Sequence, residues 1–177
     1  MKKKIGLFVL SIIVIGASKY VYDVHLNYNF KEISENKVYK SGVIPPDKIA
    51  TYIQNHQINS VIDLRFPHTT DKLNNPEIPQ ELTAEKEAVE KLEGVTYFNL
   101  GTDQVPTQET VDKFLEIMDD PANYPVLLHC YHGVGRAQLF SAIYRMEYEG
   151  WSNQEAREQT RVLLKGSSFD EGKPKGD

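Results

Sequence analysis

Between Val126 and Arg136 the chain has few paths open to it. Val126-Leu127-Leu128 is a short apolar run that suits a buried strand, and Leu139, Phe140 and Ile143 recur at helical spacing after Arg136. His129-Cys130-Tyr131-His132-Gly133-Val134-Gly135 must therefore carry the backbone from strand to helix in one turn. Gly133 and Gly135 permit the unusual φ values and close backbone approach of a loop that curls around an anion, its N–H groups pointing inward. The helix beginning near Arg136 adds its positive end. The same field favours a thiolate at Cys130, which makes the sulfur a nucleophile at neutral pH, and the planar Arg136 guanidinium can grip two oxygens at once.

The remaining pattern alternates strands with helices. Val38-Tyr39 begins a strand, and Pro45-Pro46-Asp47 opens a helix ending near His56. Ile58 to Leu64 reads as a strand and Phe66 to Ile78 as a loop. Glu81 to Leu92 is rich in helix formers and ends at Gly94; Val95 to Leu100 is a strand. Thr107 caps a helix in which Val111, Phe114, Leu115 and Met118 share a face. The helix after Arg136 stops at Gly150, and Ser152-Asn153-Gln154-Glu155 is a capping box for a last helix reaching about Leu164. The expected architecture is one compact α/β domain with a central sheet covered by helices. We place it at residues 36–165, with a linker at 23–35 and, from its low apolar content, a disordered tail at 166–177.

Lys2-Lys3-Lys4 precedes an uninterrupted apolar or small stretch from Ile5 to Ala17. Residues 1–22 thus read as a membrane anchor or a signal segment. Ile15 fits poorly three positions before a cleavage point at Ala17, and Tyr20 and Tyr22 suit a membrane interface, so the uncleaved anchor is favoured over secretion after cleavage. The positive-inside rule then puts the body on the non-cytoplasmic side, periplasmic or extracellular. The net charge is −5, and setting aside Lys2, Lys3, Lys4, Lys19 and Asp23 leaves the body more acidic still. Such a body is a poor match for nucleic acid. One cysteine excludes an intramolecular disulfide and leaves the compartment open.

His129 through Arg136 resembles the H-C-x5-R signature of the cysteine-dependent protein tyrosine phosphatases, nearest to the dual-specificity branch. Val38-Tyr39-Lys40-Ser41-Gly42 and Ser60-Val61-Ile62-Asp63-Leu64-Arg65 resemble segments upstream of the catalytic loop in small members. The resemblance implies the same α/β fold and hydrolysis of phosphate monoesters through a phosphocysteine. Cys130 would be the nucleophile, Arg136 the phosphate clamp and His129 the support of the thiolate, with Tyr131, His132, Gly133, Val134 and Gly135 completing the phosphate loop. Asp103, after one expected strand and before a helix, matches the place where such families carry their general acid; Asp119 and Asp120 are alternatives at the end of the next helix.

No cofactor and no metal are expected. His129, Cys130 and His132 lack a further Cys or His at ligand spacing, and His132 is placed at the rim. His25, His56 and His68 read as ordinary polar residues. The family usually has a serine or threonine after the arginine, whose hydroxyl helps the thiolate leave; here the residue is Ala137. A phosphate-binding pseudophosphatase is therefore the alternative, with sulfur transfer behind it. Tyr131, His132 and Val134 add no fixed charge to the loop, which favours phosphorylated protein, phosphotyrosine first with phosphoserine and phosphothreonine alongside, over phosphoinositide.

Overall fold

A computed structural model describes residues 2–67, 79–159 and 169–176. The expected loop beyond residue 67, His68 within it, and the extension of the last helix to Leu164 lie outside the described residues. An N-terminal helix α1 (Lys2–Val21) runs into a π-helical turn at Tyr22–Leu26. The domain follows as β1 (Lys31–Ser34), β2 (Val38–Ser41), α2 (Pro46–Asn55), β3 (Ser60–Asp63), α3 (Pro79–Glu90), β4 (Thr96–Asn99), α4 (Gln108–Asp119), β5 (Val126–His129), α5 (Arg136–Tyr148) and α6 (Asn153–Glu158).

The five strands form one sheet in the order β1-β2-β5-β3-β4. β1 is antiparallel to β2, while β5 lies parallel between β2 and β3, with Ser41 and Asp63 both level with His129. The last strand in sequence is thus the central one, and it ends between neighbours whose chains leave to different elements, the crevice where α/β sheets place ligands. Alternation along β5 divides the core. Val126, Leu128 and Cys130 join Phe114, Met118, Ala137 and Phe140 on the α4/α5 face, whereas Leu127 joins Ile49, Ile53, Val61 and Val89 on the α2/α3 face.

The expected caps are present. Thr107 Oγ1 accepts from Thr110 N–H at 3.3 Å, and Ser152 and Glu155 complete the reciprocal box.

Two expectations need correction. Residues 23–35 are more than a linker: Ile33 is buried on β1, and Phe30 stacks on Tyr39 with ring centroids 5.4 Å apart. Two separated apolar residues among turn asparagines leave little periodic signal, yet an edge strand needs little more once β2 offers its hydrogen bonds. Likewise residues 169–176 are placed, with Phe169 only 1% exposed. Average composition hides a single aromatic anchor.

α1 carries its apolar side chains exposed, Phe8 at 68% and Ile15 at 67%. Phe8–Leu26 is long and apolar enough to cross a membrane by length and composition. A signal sequence passes the same test.

Candidate active site

Cys130 follows the C-terminal residue of β5 and is 3% exposed. The loop after it is held from behind by the chain around β2. Lys40 Nζ donates to Gly133 O at 2.7 Å, Asn29 Nδ2 to His132 O at 2.8 Å and Val43 N–H to Tyr131 O at 3.0 Å. In a planar trans peptide the N–H opposes its carbonyl. Drawing these three carbonyls outward therefore turns the N–H groups of His132, Gly133 and Val134 to the opposite side of the loop, an arrangement able to bind an anion. Gly133 has φ +69°, and a Cβ there would lie 2.4 Å from Gly42 N, so only glycine fits. Val38 to Gly42 thus has a physical role as the buttress of the loop.

Arg136 opens α5 and is 2% exposed. Its Nη1 donates to Leu64 O at 2.7 Å and to Thr102 O at 3.1 Å. The guanidinium is oriented by two backbone carbonyls, one beyond β3 and one beyond β4. Asp103 follows Thr102 and is exposed. The next residue, Gln104, reaches the phosphate loop: its Oε1 lies 2.9 Å from where a Cβ on Gly135 would stand. Asp103 therefore lies between Thr102, whose carbonyl accepts from Arg136, and Gln104, which approaches Gly135, and its side chain is exposed. Asp119 and Asp120 are engaged elsewhere. Asp119 accepts from Tyr148 Oη at 2.8 Å, and Asp120 accepts from Ala122 N–H at 2.9 Å.

His129 turns to the other face of β5. Its Nε2 is 2.7 Å from Glu85 Oε1 and 3.8 Å from Asp63 Oδ1. Arg65 joins the same buried group, donating Nε to Asp63 Oδ1 at 3.0 Å and Nη2 to Asp63 Oδ2 and Glu85 Oε2, each at 2.8 Å. Burial pushes the Asp63 carboxyl up, but His129 and Arg65 outweigh it and hold the group below the usual carboxylate range. Tyr97 Oη donates to Asp63 Oδ2 at 2.7 Å; burial first, then the nearby carboxylates, pushes its phenol up. Ligand atoms of Asp63, Glu85 and His129 lie within 4.8 Å of one another. The Arg65 guanidinium is bonded to both carboxylates, so the group is an ion-pair network.

His132 is exposed, its ring edge against Tyr131 with centroids 4.5 Å apart. The partial burial of its ring, then the Arg136 charge, pulls its imidazole down. Tyr131 and His132 border a cavity of about 680 Å³ that Tyr28, Asn29, Val43 and Pro45 also line. Ala137 is fully buried, and among the described residues no hydroxyl replaces the missing one: Ser141 Oγ donates to Ala137 O at 2.6 Å.

The model of a family described as DSP-PTPase phosphatase fused to NAD+ kinase matches residues 16–173. The chain belongs to that family. Within this dual-specificity, tyrosine-phosphatase-like group it is 37% identical to the dual specificity protein phosphatase TpbA of Pseudomonas aeruginosa over 57 residues, 32% of this chain. The matched stretch spans about a quarter, 26%, of that relative's length. Solved structures share the fold, among them the following two. The core catalytic domain of the PP-IP phosphatase SIW14 from S. cerevisiae, in complex with citrate, aligns at TM-score 0.56 and 22% identity, covering 76% of this chain and 80% of its own. A cysteine-to-serine variant of P. aeruginosa TpbA in complex with pTyr aligns at 0.54 and 23%, covering 75% and 71%.

The phosphatase-family loop also has neighbours that sequence reasoning missed. Lys40, Asp63 and Arg65 sat in segments noted only for their resemblance, although charges ending an apolar strand signal a buried ion pair. Glu85 lay in a run of helix formers with nothing to single it out.

Proposed function

We propose that this chain hydrolyses phosphate monoesters through a phosphocysteine, with phosphotyrosine in proteins as the favoured substrate and phosphoserine and phosphothreonine alongside. The observation that carries this reading is Cys130 at the end of the central strand, beneath a loop whose N–H groups turn inward and whose Arg136 is fixed by Leu64 O and Thr102 O. The phosphoryl oxygens would lie in that loop, gripped by its N–H groups and by the guanidinium edge. The Cys130 sulfur would attack phosphorus in line with the departing oxygen, and Asp103 would protonate that oxygen. Water then attacks the phosphocysteine, and the thiolate leaves without a hydroxyl donor at position 137.

Tyr131 offers an aromatic ring next to Cys130 for an aryl phosphoester, and the TpbA variant bound to pTyr supports the same choice. The test is release of phosphate from an aryl phosphate: Cys130→Ser should abolish turnover while retaining ligand binding, and near-normal activity in that variant would refute the nucleophile. A pseudophosphatase would bind without turnover in the unaltered chain. We further propose that α1 anchors the chain with its domain on the non-cytoplasmic side, with secretion after cleavage as the alternative. Protease added outside intact spheroplasts should then digest the domain, and protection would reverse the orientation.

A further inference from the structure

The tail crosses the mouth of the phosphate loop. Phe169 is buried and, with Leu139, Ile143 and Met146 of α5 and Ala156 of α6, lines a cavity of about 230 Å³. Backbone bonds Lys173 N–H to Asp170 O at 3.0 Å and Gly176 N–H to Lys173 O at 2.8 Å then fold the segment tightly. Lys175 is thereby delivered to the site. Its ammonium lies 5.4 Å from the Phe169 ring centroid, donates to Gln104 Oε1, and stands 3.4 Å from where a Cβ on Gly135 would be.

Among the described residues this cation has no carboxylate partner; its hydrogen-bond acceptor is a neutral amide. Burial pulls the ammonium down, Cys130 opposes that, and Arg136 adds to it. A half-buried cation facing a second cation across a glycine is costly unless an anion joins them. Arg136 is buried on the carbonyls of Leu64 and Thr102, whereas Lys175 is half-buried, bonded to Gln104 next to Asp103 and close to Gly135. Lys175 thus adds a second positive charge beside the one that would hold the phosphoryl group.

We propose that Lys175 forms a second anion subsite at the rim of the phosphate loop, so that preferred substrates carry another phosphate or comparable anion next to the phosphoryl group on Arg136. This rests on the phosphatase reading above and narrows its substrate class. The fixed charge missing from Tyr131, His132 and Val134 comes instead from a residue about 40 positions later in the chain, which the fold brings alongside.

Binding of inorganic pyrophosphate and of orthophosphate to the 177-residue chain, carrying Cys130→Ser to prevent turnover, tests this by titration calorimetry. The preference for pyrophosphate should fall about fivefold to tenfold in Lys175→Gln, as expected for one partly exposed charge-assisted contact, and persist in Lys175→Arg. Phe169→Ala should lower it similarly by releasing the tail. An unchanged preference in Lys175→Gln overturns the proposal, as does tighter binding of both anions, which would make the tail a shield over the site. Aryl phosphate turnover by the unaltered chain is read separately, so loss of the phosphatase reading and loss of the subsite give different results.

Discussion

Replacing Arg65 by Met should expose how strongly the buried charges beneath the loop depend on one another. Arg65 and Asp63 are fully buried and Glu85 is 1% exposed, so removing the guanidinium leaves two carboxylates without the cation bonded to both. Breaking a buried pair by deleting one partner costs about 3–5 kcal/mol. For a domain of this size that lowers Tm by about 6–20 °C, at roughly 2–4 °C per kcal/mol. Urea unfolding can be followed through Trp151, the single tryptophan, which lies over the Arg145 guanidinium at 4.4 Å.

The pH dependence distinguishes charge from lost packing. Asp63 is held below its unfolded value, so in the unaltered chain its contribution is present above about pH 4 and is lost as pH falls through the folded value. In Arg65→Met one lowering charge is gone and burial raises the Asp63 carboxyl. The folded variant then binds a proton more readily, and the stability deficit should shrink between pH 7 and pH 5. A deficit under about 1 kcal/mol, or one independent of pH, would refute the view that the guanidinium compensates desolvated carboxylates.

Three further outcomes follow from the site. Asp103→Asn should slow alkyl phosphate hydrolysis about 10²–10⁴-fold, slow aryl esters less, and flatten the alkaline limb of the rate profile; an unchanged profile moves the acid elsewhere. Ala137→Ser should abolish a burst of phenol release in rapid mixing by speeding phosphocysteine hydrolysis about 10-fold or more, whereas no burst in the parent would mean that the thiolate leaves without that donor. Gly133→Ala should weaken orthophosphate binding at least about 10-fold, because its Cβ would displace Gly42 N or collapse the cradle; equal binding in calorimetry would show that the loop tolerates the strain.

Local signals determined much of this protein. An apolar run, two glycines and an apolar helical stripe suffice to place Cys130 and Arg136 at a strand-to-helix turn, because backbone preference and periodicity act over a few residues. Thr107, Ser152 and Glu155 gave their helix starts for the same reason. What those signals lack is information about partners far along the chain. That β5 is the central strand, that Lys40 and Asn29 hold the loop carbonyls, and that His129 lies against Glu85 were decided by strand order and by the alternation of faces. The ion-pair network exists only because β3, α3 and β5 exclude water around four polar side chains; none would be unusual on a surface. Phe169 and Lys175 make the same point at the tail, where one buried aromatic in a polar segment overrides its composition and carries a cation to the mouth of the site.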